Sequence, residues 1–386
     1  MRLTVTVQRS HPAVGSAAPS DAALPPSTPS PSASTNQAFR LDLSRGLTVL
    51  DALIRIKNEM DGSLGLRYSC RSAICGSCAM TINGTEKLAC RTSIRQEFER
   101  HGEVRIGPLR NLPVIKDLAV DMRTFWQKVR QVDPWIADSS TAETSPVPVD
   151  PATQQLSITP AQATYHNVDA CIMCGACVAA CTSHEVSRGF LGPAALAKAD
   201  RIFEDPREGD AGKRTRLDAL QTLNGIWDCV RCNYCVQVCP KDVKPMEAIV
   251  RLRRASIEQG IPATGGARHI TGFVDLVERY GRLNEALMPL KVVGFEPRRL
   301  VSVVPLGLRM LVRGKVPNPF GHTISGIEAV RAIFRTTRQE RRRVRLEALA
   351  QRAFRAEQLA DPDYVSAKAP SSPSSPSSNP QPSARP

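Results

Sequence analysis

The sequence predicts an α+β chain: a small mixed domain at the N-terminus, a mostly helical domain after it, and a helical extension at the C-terminus. Three observations predict this. The first ten residues alternate between apolar and polar as a half-buried strand does, with Leu3, Val5 and Val7 on one face and Thr4, Thr6 and Gln8 on the other. Beyond Pro113 the apolar period lengthens to three and four residues, through Leu118, Met122, Phe125, Trp126 and Val129. The twelve cysteines fall into three groups of four, one in the mixed region and two in the helical one.

Taken in order, the first strand is followed by a Pro/Ser/Ala-rich insert, residues 11–38, expected to be disordered because it buries too little apolar surface to offset its ordering entropy. A second strand follows at Phe39-Arg40-Leu41-Asp42-Leu43. Thr48 reads as the N-cap of a helix through Leu50, Leu53, Ile54 and Ile56. Met80-Thr81-Ile82 and Lys87-Leu88-Ala89, joined across Asn83-Gly84, give the strongest hairpin signal in the chain. A helix is expected after Pro113, then a polar Pro-rich connector from Asp133 to Thr164. The helical second domain begins near Val168, and the arginine run Arg335, Arg338, Arg341, Arg342, Arg343 and Arg345 lies on a later helix. The division is therefore 1–115, with the insert 11–38; 116–164 as helix and connector; 165–260; 261–365 as helical extension; and 366–386 as a disordered tail.

The net charge of +14 directs attention to anionic partners, but few aromatics lie near the arginine run, so base stacking on nucleic acid is not expected. A solvated helix face is the simpler reading of that run, with a membrane surface or a partner second. No stretch reaches the roughly 20 apolar residues of a spanning helix. The nearest, Leu300 to Val312, is interrupted by Pro305 and Arg309. The N-terminus MRLTVTVQRS has no apolar signal core. The expectation is a cytoplasmic chain, where grouped thiols stay reduced and bind metal.

Cys70, Cys75, Cys78 and Cys90 have the spacing C-x4-C-x2-C with a distant fourth cysteine, the plant-type [2Fe-2S] arrangement. A tight loop of small residues supplies three thiolates, and Cys90 arrives from across the hairpin. Zinc is the competing reading, but a structural zinc site usually shows two paired CxxC units.

Cys171, Cys174, Cys177 and Cys181 form C-x2-C-x2-C-x3-C, and Cys229, Cys232, Cys235 and Cys239 repeat it, followed by Pro240. This is the bacterial ferredoxin run, in which the fourth cysteine ligates the other cluster. One [4Fe-4S] cluster is then held by Cys171, Cys174, Cys177 and Cys239, and a third cluster by Cys181, Cys229, Cys232 and Cys235. With four thiolates the third is also expected to be [4Fe-4S].

The order of these domains, with LRNLPVIKDLAVDM from Leu109 to Met122, CRSAICGSCAMTINGTEKLAC from Cys70 to Cys90, Gly192-Pro193 and Cys239-Pro240-Lys241, resembles the iron-sulfur subunit of succinate dehydrogenase and fumarate reductase. The resemblance covers residues 1–10 and about 36–260. It implies a plant-type ferredoxin (β-grasp) domain followed by a two-cluster ferredoxin domain. It further implies a flavoprotein partner that oxidises succinate or reduces fumarate at FAD, a membrane anchor or cysteine-rich subunit, and quinone as eventual acceptor. The chain itself then conducts electrons, has no substrate site, and sits on the cytoplasmic side of the cell membrane, held there by partner subunits.

Three departures from the family pattern stand out. Many members lack a cysteine at the position of Cys232 and hold a [3Fe-4S] cluster there. Quinone-reactive members carry a His and an aromatic residue where this chain has Val230 and Val186, with His184 nearby in a polar stretch that reads as solvated. The chain also continues well past its last cysteine. The segment Asn284 to Arg335 resembles the tail of unusual members and of heterodisulfide reductase subunits, which implies as an alternative a thiol or soluble acceptor.

Overall fold

The computed structural model describes residues 2–10, 34–42, 47–136, 167–205, 207–260, 264–294, 297–315 and 323–360. They divide into two compact units, 1–267 and 268–386, each described by itself.

The first unit opens with β1 (Arg2–Ser10) and β2 (Ser34–Asp42), antiparallel along their whole length, with Arg2 opposite Asp42 and Ser10 opposite Ser34. The alternation buries Leu3, Val5 and Val7 against Phe39 and Leu41. Residues 34–38, expected to belong to a disordered insert, are part of β2. Their side chains are exposed, so apolar patterning carries no signal there; the hydrogen-bond ladder to β1 supplies the order instead. Residues 11–33 and the tail 366–386 lie outside the described residues.

Helix α1 (Val49–Arg55) begins where Thr48 predicts: Thr48 Oγ1 accepts from the Asp51 amide at 3.2 Å, and the Asp51 carboxylate accepts from the Thr48 amide at 2.9 Å. It buries Val49, Leu50, Ala52 and Leu53 and runs into a single π-helical turn, Ile56–Met60. Strands β3 (Ala79–Ile82) and β4 (Thr85–Leu88) turn at Asn83 and Gly84, both at positive φ (46° and 77°), as the tight hairpin requires. After α2 (Ile94–His101), β5 (Val104–Gly107) completes a sheet of order β2-β1-β5-β3-β4 in which β1 and β5 are parallel.

The helix expected directly after Pro113 starts later. Residues 114–120 form a small hairpin, β6 (Val114–Lys116) and β7 (Ala119–Val120). Asp117 sets its turn at φ 48°; its carboxylate accepts from the amides of Ser10 (3.0 Å) and Gly65 (2.8 Å) and from Arg9 Nε (3.0 Å). These partners are distant in sequence and override the local helical period. Helix α3 (Arg123–Arg130) follows and buries Phe125, Lys128 and Val129.

The rest of the unit is helical: α4 (Ala176–Ala179), α5 (Thr182–Val186), α6 (Pro193–Phe203), α7 (Asp210–Leu220), α8 (Tyr234–Gln237) and α9 (Pro245–Glu258). Its core is continuous with that of the sheet, since Leu109, Leu112 and Phe125 belong to the same apolar cluster as Val178, Phe190 and Leu196. The two cysteine-bearing regions are thereby held in a fixed relation.

Helix α10 (Gly265–Tyr280) leads into the second unit, which contains α11 (Leu287–Val293), α12 (Pro297–Val312) and α13 (Ile327–Ala360). Arg268 Nε donates to Val292 O at 2.7 Å, and Arg338 pairs with Glu278, joining its helices. The expected arginine-bearing helix is α13. Among the described residues no helix is long and apolar enough to cross a membrane.

Candidate iron-sulfur centres

The first thiol group surrounds the loop before β3. Arg71, Ala73 and Gly76 all take positive φ (55°, 56° and 73°), and this turns successive amides inward. The N–H groups of Ser72, Cys75 and Ile74 point at Cys70 Sγ at 3.4, 3.3 and 3.4 Å and lower its thiol to about 6. Cys78 immediately precedes β3 and Cys90 follows β4, with Ala89 N donating to Cys78 O at 3.1 Å. The hairpin thus closes the long gap in sequence. Burial pushes the Cys78 thiol up to about 12, with Cys90 and Cys75 beside it.

The second and third groups are built twice on one local design. A single 3-10 turn (Val168–Ala170, Ile226–Asp228) precedes each first cysteine, and a one-turn helix (α4, α8) carries each third one. Between them, Met173 and Arg231 take φ 54° and 60°, and Gly175 and Asn233 take 83° and 70°. The repeat seen in the cysteine spacing is therefore a repeat of backbone conformation.

Cys171, Cys174, Cys177 and Cys239 line one cavity together with Ala194, Ala197 and Val243. Burial raises Cys174 to about 11, with the charges of Cys171 and Cys239 adding to it. Cys177 is likewise raised well above its ordinary value, first by burial and then by Cys174 and Cys171. Val243 N lies 3.3 Å from Cys239 Sγ and directs an N–H at it.

Cys181, Cys229, Cys232 and Cys235 form the other set. Burial pushes Cys235 up to about 12, and the charges of Cys229, Cys181 and Cys232 push the same way. Thr182 Oγ1 lies 3.4 Å from Cys232 Sγ, which brings Cys232 to the residue beside Cys181. Partial burial of Cys232 is outweighed by hydrogen bonds from Thr182 and the Tyr234 amide, and its thiol is lowered. The His184 and Arg231 amides point at Cys181 and Cys229 Sγ, each at 3.4 Å.

The chemistry of these donor sets fits iron-sulfur clusters. Buried thiolates that repel one another are stabilised by a positively charged multi-metal core, and turned amides donate to its sulfurs. Among the described residues no three His, Cys, Asp or Glu side chains close on a point that one ion would occupy.

The sets follow one another through the unit. A Cβ built on Gly76 in the first loop would lie 2.8 Å from Cys174 Cβ, and Arg91, next to Cys90, donates to Pro240 O, next to Cys239, at 3.0 Å. The Cys235 charge in turn acts on Cys177. Asn111, at φ 63°, fixes the junction by donating to Val178 O, Ala179 O and Cys181 O at 3.1, 2.9 and 3.1 Å.

Lys128 is a feature that sequence patterning missed, although it falls on the inward face of α3. It is buried, donates to Phe190 O at 2.7 Å and to Arg188 O, and lies 3.3 Å from His184 Nδ1. His184, expected to be solvated, is only 5 % exposed. Burial and the neighbouring Lys128 charge lower it to about 4, so it stands neutral between Lys128 and the Phe190 carbonyl, which lies 3.3 Å from the same Nδ1. Val186 and Val230, by contrast, are 90 % and 66 % exposed.

Residues 7–127 match a family profile described as a 2Fe-2S iron-sulfur cluster binding domain, and residues 167–243 one described as a 4Fe-4S dicluster domain. The chain is 41% identical over 223 residues to the fumarate reductase iron-sulfur subunit of Mycobacterium tuberculosis, covering 58% of this chain and 86% of that one. It is 36% identical over 222 residues to iron-sulfur subunit 1 of mitochondrial succinate dehydrogenase [ubiquinone] from Oryza sativa, covering 57% and 75%. A chain of the Mycobacterium smegmatis Sdh1 complex in the apo form shares the fold, with a TM-score of 0.51 at 22% identity over 68% of this chain and 98% of that one. Three thiol sets in this order, with these relatives, mean that the chain belongs to the family of iron-sulfur subunits of fumarate reductase and succinate dehydrogenase, the electron-transfer subunits of those oxidoreductases.

Proposed function

We propose that this chain conducts single electrons between the FAD of a flavoprotein partner, where succinate is oxidised or fumarate reduced, and the quinone pool. The observation that carries the reading is the succession of thiol sets, from the Cys70 loop through the Gly76 contact to Cys174 and on from Cys177 to Cys235. Iron-sulfur clusters bound in these sets supply one-electron carriers.

In this reading Cys70, Cys75, Cys78 and Cys90 hold a [2Fe-2S] cluster, and Cys171, Cys174, Cys177 and Cys239 a [4Fe-4S] cluster. Cys181, Cys229, Cys232 and Cys235 hold a third cluster, of [4Fe-4S] type because Cys232 completes its ligands. The turned amides orient the thiolates and soften their mutual repulsion, and the apolar lining excludes water. The quinone named for the rice relative supports quinone as the eventual acceptor. The chain sits peripherally on the cytoplasmic side of the membrane, held by a membrane anchor or a cysteine-rich subunit.

Co-purification with a flavoprotein, followed by a succinate-to-quinone assay, tests the reading. It predicts turnover that is lost when Cys174 or Cys235 is replaced by Ala while succinate oxidation by a direct flavin dye persists. Quinone reduction that survives both replacements would overturn it.

A further inference from the structure

Helix α12 of the second unit carries an apolar stripe turned to solvent. Val301, Val304, Leu308, Leu311 and Val312 are between 59 % and 81 % exposed. At 3.6 residues per turn they fall within an arc of roughly 100°. Arg309 is exposed on the flank of the stripe, and Arg313 and Lys315 are exposed just beyond the helix end. From Pro297 to Lys315 the sequence contains no Asp or Glu. An apolar stripe edged by cations and free of acids suits an anionic lipid surface, where the stripe enters the acyl boundary and the cations reach the headgroups.

Length and charge select among the possible occupants. Sixteen residues give a helix of about 24 Å, short of the roughly 30 Å hydrocarbon layer, and Arg309 sits inside it, so the helix is suited to lie in the interface. A second copy would bring the same cations against one another. The next helix reinforces the sign of the field, since Arg335, Arg341 and Arg342 on α13 are also exposed.

We propose that α12 is an interfacial helix through which this chain itself contacts the anionic headgroup layer of a membrane. The proposal concerns the second unit alone and stands apart from the cluster assignments.

The test is co-sedimentation of the full-length, iron-loaded chain with vesicles of phosphatidylcholine alone or mixed with phosphatidylglycerol. The expected result is binding to the mixed vesicles that weakens with added salt. Replacing Val304, Leu308 and Leu311 together by Glu should abolish it. Replacing Arg309, Arg313 and Lys315 together by Gln should weaken it by about 100-fold. Unchanged iron content in both variants shows that the first unit remains folded. Failure of the wild type to bind, equal binding to pure phosphatidylcholine, or binding unaffected by the Glu replacements would each overturn the proposal. So would a Glu variant that loses self-association, measured by light scattering, while its lipid binding is unchanged; that result would assign the stripe to a second copy.

Discussion

Gly76 and Cys174 touch so closely that a Cβ on Gly76 would stand 2.8 Å from the Cβ of Cys174 and 3.1 Å from the carbonyl of Ile172. This is where the first thiol loop meets the second. Gly76 also holds φ at 73°, a conformation that disfavours a side chain by about 1–2 kcal/mol. Gly76→Ala should therefore displace the first loop. The expected outcome is partial loss of the [2Fe-2S] EPR signal and slowed reoxidation of that cluster, with the signals of the other two retained.

In the proposed assignment Cys232 decides the type of the third cluster. Cys232→Ser should convert a centre that is EPR-silent when oxidised into one with a [3Fe-4S] signal, without loss of the other clusters. A wild type that already shows the [3Fe-4S] signal, unchanged by the substitution, would remove Cys232 from the ligand set.

Lys128 stands behind the third thiol set, and Cys181 and its charge act on each other. Lys128→Met removes a buried cation and leaves the Phe190 and Arg188 carbonyls without their donor. The expected loss of stability is about 1–3 kcal/mol, accompanied by a lower midpoint potential for the third cluster in an EPR-monitored titration. There is also a pH signature. Burial, with Arg188 nearby, lowers the ammonium from 10.5 to about 8 in the native state. The unfolded chain then binds more protons between those values, so stability rises with pH across that window. Urea unfolding should show that rise in the wild type and a flatter profile in Lys128→Met.

Arg9 ties four parts of the N-terminal region together. It meets Asp117 at 3.0 Å, Asp61 at 2.6 Å, Gln37 at 2.7 Å and Ser63 at 2.8 Å. Asp117→Asn would leave a buried guanidinium short of a counter-charge, with an expected loss on the order of 3 kcal/mol in chemical denaturation. Hydrogen bonds from Ser63, followed by that from Arg9, hold the Asp61 carboxyl well below its ordinary 3.8. A depressed carboxylate stabilises the native state above its ordinary pKa and loses that effect as pH falls further. Arg9→Leu should accordingly blunt the decline in stability below pH 3.8, as read by acid titration of the sheet's circular dichroism.

What the sequence revealed was local. The Thr48 N-cap and the Asn83-Gly84 turn each depend on residues a few positions apart, and each folds as its pattern predicts. The duplicated cysteine spacing is likewise local, and the two runs repeat one backbone conformation. What it concealed depends on distant partners. Residues 34–38 join the sheet through backbone pairing with β1, which polar exposed side chains do not announce. Residues 114–120 leave the helical period because Asp117 is held by Ser10, Gly65 and Arg9. His184 reads as solvated in its polar stretch, but Lys128, 56 residues away, packs against it. The cysteines identified the chemistry, while the order of the thiol sets emerged only from contacts such as Gly76 with Cys174.

The most direct test of electron conduction is freeze-quench EPR of the complex assembled with its flavoprotein, mixed with succinate and then with quinone. The account predicts about ten irons per chain, reduction of clusters in this chain after succinate, and their reoxidation when quinone is added. Clusters that stay oxidised while the flavin is reduced, in a complex with full iron content, would contradict it.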